Sequence, residues 1–284
     1  MKPIVLVAET GSDVTPELAA EYQIRMVPMH VTFEKETLDD GAFPVNDICE
    51  YYQATKSVPK TSGSTPEDFN RVLDEIHAEN PDAQVLYLAY SAVTTCSYQS
   101  CVIASEERDY VTCFDTKHVS IGQGSIVVGM AQALRENPEM TMEEALEKAK
   151  DLRERTRMCF LPDNLDFLRA GGRVSNVACL GSRILNLHPC IEVLDGHLMA
   201  TKKYRGKMNK VVAELIEEYT EKHDLERDCL WLVYTIGLSD EVRRAAEEAA
   251  AKCGFKQVRW IQAGCVITTH GGPAAFGVAG LAKQ

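Results

Sequence analysis

Short apolar runs alternate with longer amphipathic stretches along most of this 284-residue chain. Ile4-Val5-Leu6-Val7-Ala8 is an apolar run of strand length, closed by the polar Glu9-Thr10-Gly11-Ser12-Asp13. A run with no polar alternation belongs to a strand buried on both faces. Thr15-Pro16-Glu17 predicts a helix start, with Thr15 as N-cap and Pro16 at the first helical position. Met26 to Phe33 reads as one strand whose Pro28 marks a sheet edge. A helix is expected from Asp47 to Ala54, and Thr65-Pro66-Glu67-Asp68 opens another with acid in its first turn. Val85–Ala89 and Val111–Asp115 are strands, separated by a helix from Ser97 to about Glu107. Gly122–Asn137 and Thr141–Cys159 read as helices.

The pattern shifts at Leu161-Pro162-Asp163-Asn164, which predicts a boundary between residues 1–160 and 161–284. Beyond it, Ile191–Leu198 reads as a hairpin around an Asp195-Gly196 turn. A helix over Gly206–His223, the strand Cys229–Tyr234, a helix over Ser239–Cys253 and the strand Gln257–Ile261 follow. Cys265-Val266-Ile267-Thr268-Thr269 is β-branched and reads as the final strand, ending in a tight loop at His270-Gly271-Gly272-Pro273. The expected fold is α/β: a parallel-sheet, three-layer N-terminal part and a smaller α+β C-terminal part. Such a sheet carries its functional crevice at the carboxyl ends of its strands. The polar segments Glu9–Asp13, Thr61–Thr65 and Ser91–Ser97 belong there.

Composition narrows the class. Hydrophobic content of 45% and charged content of 25% are those of a globular protein with room for two cores. No apolar run reaches the length of a membrane span, and the N-terminal run is too short for a signal peptide, so a cytoplasmic location is expected. The formal charge of −12 argues against nucleic acid as a partner. The ten cysteines are scattered without a CxxC pair, which argues against a zinc site and for reduced thiols packed as small hydrophobes.

Four segments carry candidate chemistry, and each has an ordinary structural reading. Pro59-Lys60-Thr61-Ser62-Gly63-Ser64-Thr65-Pro66 is rich in hydroxyls and, taken alone, is a loop ending in an N-cap. Ser91-Ala92-Val93-Thr94-Thr95-Cys96-Ser97 reads as a loop and cap as well. Gly171-Gly172-Arg173 is a backbone turn beside a charge. Lys202, Lys203, Arg205 and Lys207 form a basic cluster, usually a solvated face. His270 sits in the glycine-rich loop, where a histidine is often merely packed.

Taken in order, these segments resemble the DegV family, bacterial fatty-acid-binding proteins. The resemblance spans Val7 to Gly280. It includes Pro59–Ser62, Ser97-Tyr98-Gln99-Ser100, Asp115–Ser120, Leu168–Ser175 and Thr269-His270 with Gly272-Pro273. It implies a first half like the domain shared with dihydroxyacetone kinase and the mannose phosphotransferase IIA proteins. It also implies a tunnel between the halves that holds one long-chain fatty acid. By resemblance the head-group residues fall on Thr61, Ser62, Ser91, Arg173, Thr269 and His270, and Arg205 matches an arginine tied to the tunnel exit and the phosphorylated product. The implied role is non-enzymatic: a carrier, without cofactor or metal, that presents the acid to a fatty-acid kinase making acyl phosphate for phospholipid metabolism. Its implied partners are the fatty acid, the kinase and a transient membrane surface contact.

The chemistry suits that implication. Each buried methylene contributes about 0.8 kcal/mol, so a tail of about 14 methylenes contributes roughly 11 kcal/mol before the cost of association. Each charge-assisted hydrogen bond at the head adds about 1.5–3 kcal/mol. The family's Asp-Ser-Thr signature stands here as Glu9-Thr10-Gly11, and its Ser-Ser-Gly-Leu-Ser-Gly-Thr loop as Ser91–Ser97. The second change replaces two glycines and a serine with stiffer residues, which points to a different acyl chain or another ligand. Two other classes stand beside the carrier. One is a hydrolase using Thr61 or Ser91 with His270, although no G-x-S-x-G elbow is present. The other is a sensor of some other amphiphile.

Overall fold

The computed structural model describes residues 2–174 and 186–284. The chain opens with β1 (Ile4–Glu9), a 3-10 turn at Thr10–Ser12, α1 (Pro16–Tyr22), β2 (Arg25–Val27), β3 (His30–Phe33) and β4 (Glu36–Asp39). Next come α2 (Asn46–Thr55), β5 (Lys60–Ser62), α3 (Pro66–Glu79), β6 (Gln84–Ala89), α4 (Ser97–Ala104) and β7 (Val111–Asp115). Two long helices follow, α5 (Ser120–Glu136) and α6 (Met142–Arg155), then β8 (Thr156–Leu161) and α7 (Leu165–Gly171). After residue 185 lie β9 (Leu187–Leu194), β10 (His197–Arg205), α8 (Met208–Lys222), β11 (Cys229–Tyr234) and α9 (Asp240–Lys252). The chain closes with β12 (Gln257–Gln262), α10 (Cys265–Gly271) and β13 (Phe276–Leu281).

The strands form three sheets: a parallel one ordered β2-β1-β6-β7, a mixed one ordered β10-β9-β8-β13-β11-β12, and a small antiparallel one ordered β4-β3-β5. The parallel sheet is covered on both faces, as its apolar runs predict. Val7, Val85, Tyr87 and Ala89 pack with Phe69 and Leu73 of α3 and Cys101 of α4. Their neighbours Leu6, Ala8, Leu86 and Leu88 point the other way, onto Ile126, Val127 and Met130 of α5. This period-two division of each strand gives the three layers. The same core continues through α5 to Met158, Trp231, Val233 and Ala279 of the six-stranded sheet, so α5 is shared by both halves. The second half is shorter yet carries the wider sheet.

Local signals hold where the capping partner is near in sequence. The Thr15 side chain accepts from Leu18 N, and Thr65 forms a full capping box with Asp68. Asp195 and Gly196 both have positive φ, 48° and 84°, the two-residue turn that the hairpin needs. Three expectations are corrected. Met26–Phe33 is two strands, β2 and β3, which belong to different sheets and break at Pro28-Met29. The helix expected over Thr141–Cys159 ends at Arg155, and Thr156–Leu161 becomes β8, paired along its length with β13.

The third correction matters most. Cys265–Thr269 is helix, not strand, and the last strand is Phe276–Leu281. The first turn of α10 is held by two distant carboxylates. Asp13 Oδ1 accepts from Gly264 N at 2.8 Å, and Asp40 Oδ1 accepts from Cys265 N at 2.8 Å and Val266 N at 3.3 Å. These acceptors satisfy the free N–H groups of a helix start. They outweigh the modest β preference of Val266, Ile267 and the two threonines.

Candidate functional site

The loop after β6 meets α10 and β5 at a small polar cavity. Its volume is about 50 Å³, and Met29, Thr61, Ser62, Tyr90, Thr94, Thr95, Arg173 and His270 are among its walls. Thr61 reaches it from β5, which pairs with β3 in the register Val31↔Thr61. His270 comes from the last turn of α10, so the Asp13 and Asp40 carboxylates at the other end of that helix set where its ring lies. The two side chains meet: Thr61 Oγ1 and His270 Nε2 are 2.8 Å apart. The opposite side of the ring lies on the backbone of Gly171, where a Cβ would stand 2.3 Å from His270 Nδ1. Only glycine fits there.

The electrostatics favour neutral imidazole. Burial, with the positive charge of Arg173 nearby, pushes the His270 pKa down to about 4. Burial likewise raises the Tyr90 phenol far above its ordinary value. Arg173 is exposed at the mouth and donates from Nη1 to Gly171 O at 2.6 Å. The cavity can therefore offer a hydroxyl donor, a neutral imidazole N–H and a guanidinium to an anion without any net proton uptake.

A second cavity of about 60 Å³ adjoins the first, sharing Tyr90, Leu198 and His270 as walls. Its other walls include Met158, Phe160, Val233, Ile267, Ala275 and Phe276. Pairing aligns Phe160 and Val233 across Gly277, and Met158 and Trp231 across Ala279, so the central strand leaves a low-walled apolar furrow beneath α5. Larger grooves of about 490 and 350 Å³ open elsewhere. Ion-pairing residues such as Glu192, Asp195 and Glu226 line them, and neither includes Thr61 or His270 among its walls. Chemistry rather than size selects the Thr61–His270 site.

The remaining sequence candidates fare unevenly. Ser62 lines the polar cavity beside Thr61. Ser91 does not: its buried Oγ donates to Gly196 O at 2.8 Å, clipping the β9–β10 turn to the end of β6. Thr269 is turned away as well, its Oγ1 donating to Cys265 O at 2.7 Å within α10. Arg205 ends β10 and is exposed. Seven residues separate it from Leu198 at the cavity, roughly 20 Å along a strand. Ser175, the last residue of the Leu168–Ser175 segment, and Cys179 lie outside the described residues. The sequence reading missed Tyr90, Leu198, Asp13 and Asp40. Tyr90 and Asp13 had a signal, since both sit at carboxyl ends of parallel strands. Asp40 had none.

The sequence matches the DegV family, described as an uncharacterised protein family, over residues 3–283. The chain belongs to the DegV family. A DegV domain-containing protein of Deinococcus radiodurans is 30% identical over 97% of each chain. A fatty acid-binding protein of Thermotoga maritima is 28% identical, covering 98% of this chain and 96% of its own. The solved structure of a fatty acid-binding DegV family protein from Thermus thermophilus aligns with a TM-score of 0.88 at 25% identity, covering 99% of this chain and 100% of that one. The DegV fold thus extends across all three sheets. Among the described residues, no helix is long and apolar enough to cross a membrane, and no cluster of His, Cys, Asp and Glu is arranged to hold a metal.

Proposed function

We propose that this DegV protein binds a long-chain fatty acid, carboxylate at Thr61 and His270 and tail along the apolar furrow. The carrying observation is the Thr61–His270 pair on a polar cavity that opens through shared walls into an apolar one. The relatives named for fatty acid binding support the same ligand class. Thr61 O–H and His270 Nε2–H donate to the two carboxylate oxygens, and Arg173 compensates the charge from the mouth. Both cavities are far smaller than the roughly 300–1,000 Å³ of ordinary ligand pockets. A long tail therefore needs Met158, Leu198 or Phe160 to change rotamer as it enters, and apolar burial supplies the driving force.

The further role is to present the bound carboxylate to a partner fatty-acid kinase for acyl-phosphate formation. Arg205 lies too far along β10 to touch a head group in the cavity, so its part is on the surface offered to that partner. The site suits a carrier better than a hydrolase. Among the described residues no carboxylate orients His270, its Nδ1 side is closed by Gly171, and both burial and Arg173 oppose the imidazolium that a general base must become. Native mass spectrometry of the purified protein with organic extraction tests the reading. One fatty acid per chain, with no turnover of acyl esters, is the expected result. A chain that neither retains nor takes up fatty acid contradicts it.

A further inference from the structure

Among the described residues two pairs of thiols touch, and they differ in access. Cys113 lies on β7, the edge strand of the parallel sheet, with its Sγ 3.5 Å from Cys101 Sγ on α4. Cys101 is fully buried, but Cys113 is partly exposed. Cys159 on β8 and Cys190 on β9 also share an S–H···S contact, yet both are sealed in the core of the six-stranded sheet. An oxidant reaches only the first pair.

We propose that Cys113 and Cys101 form a dithiol modification site, converted reversibly to a disulfide by small hydroperoxides. Cys113 is the attacking sulfur and Cys101 the resolving one. In the first step Cys113 sulfur attacks the peroxide, the O–O bond breaks, the thiol proton leaves with the departing alcohol or water, and Cys113 becomes a sulfenic acid. In the second, Cys101 sulfur attacks Cys113 sulfur, the S–O bond breaks, and hydroxide departs with the Cys101 proton as water. The two thiols lose two electrons and the peroxide gains them. The division of labour follows the local chemistry. The hydrogen bond shared with Cys101 holds the Cys113 thiol below its ordinary range, whereas that same bond and burial push Cys101 up. Closing the bridge brings the sulfurs from 3.5 Å to about 2.05 Å. The bridge ties α4 to the sheet edge. The first residue of α4, Ser97, accepts from Ser64 N at 3.1 Å just beyond Thr61–Ser62, so the tie falls one contact from the polar cavity. The oxidation chemistry is independent of what that cavity binds.

The test uses the full chain carrying Cys96→Ser, because exposed Cys96 shares the tryptic peptide 72–108 with Cys101, while Cys113 falls in 109–117. The folded protein is treated with hydrogen peroxide, quenched with iodoacetamide, digested and mapped by mass spectrometry. The expected result is a 72–108/109–117 linkage reversed by dithiothreitol, forming at least ten-fold faster than any Cys159–Cys190 linkage. In a Cys101→Ala variant, dimedone is expected to trap Cys113 as the sulfenic acid. Unlinked peptides, over-oxidation of Cys113 without linkage, or equal rates for the two pairs would overturn the proposal.

Discussion

Two hydroxyl-rich segments, residues 59–66 and 91–97, look alike as text and end in opposite employment. Thr61 places its hydroxyl against His270 on a cavity wall. Ser91 buries its own against the carbonyl of Gly196, a partner 105 positions away. The first hydroxyl remains beside the cavity, where an incoming anion can exchange for the imidazole. The second is committed to the β9–β10 turn and leaves an unpaired buried carbonyl if removed. Whether a serine or threonine binds or braces is thus decided by its acceptor, not by its neighbours in sequence.

The largest expected effect separates these roles by affinity. Thr61→Ala or His270→Ala removes one charge-assisted hydrogen bond, worth about 1.5–3 kcal/mol, and is expected to weaken fatty acid binding roughly 10- to 100-fold. Displacement of a fluorescent fatty acid measures this, with thermal melting expected to change little. Ser91→Ala is expected to invert the pattern, costing about 1–3 kcal/mol of folding stability by denaturant titration while affinity stays within about two-fold. A Ser91→Ala affinity loss equal to that of Thr61→Ala breaks the contrast.

The far end of α10 sharpens it, since that end aims His270. Burial pushes the Asp13 carboxyl up to about 7, against 3.8 for a free aspartate. Asp13 therefore keeps its proton in the folded state across a window in which the unfolded chain has lost it. Unfolding releases that proton, and the Asp13 contribution to stability falls as pH rises from about 4 to 7. His118 and His270, both pushed down to about 4 by burial, act in the opposite sense between about 4 and 6.5, so the difference between two proteins is the clean readout. Asp13→Asn is expected to gain on the native chain by about 3 kcal/mol as pH rises from 4 to 7. No change in that difference would mean that Asp13 titrates normally.

Arginine variants give the smallest effects. Arg173→Ala is expected to lower affinity no more than about five-fold, and less at high salt, because the charge is exposed. Arg205→Ala is expected to leave affinity unchanged, its loss showing only in phosphorylation by the kinase.

Much of the fold was legible because the deciding partners are local. Thr15 and Thr65 cap helices three residues on, Asp195-Gly196 sets its own turn, and the apolar runs of β1 and β6 announce a sheet covered on both faces. The family resemblance named Thr61 and His270 as head-group residues, and the fold brings these two side chains, 209 positions apart, to 2.8 Å. Illegible features share one physical cause, dependence on a remote acceptor. The helical state of Cys265–Gly271 rests on Asp13 and Asp40, and the bracing role of Ser91 rests on Gly196. Thr269 misleads for a simpler reason, its side chain bonding back to its own helix.

A crystal structure of the protein with a bound long-chain fatty acid tests the central claim most directly. One carboxylate oxygen is expected within about 3.2 Å of Thr61 Oγ1 and the other within the same distance of His270 Nε2. The tail should follow Met158, Phe160 and Val233, with Ser91 still bonded to Gly196. A carboxylate seated on Ser91, or a tail lying outside the furrow beneath α5, would contradict the account.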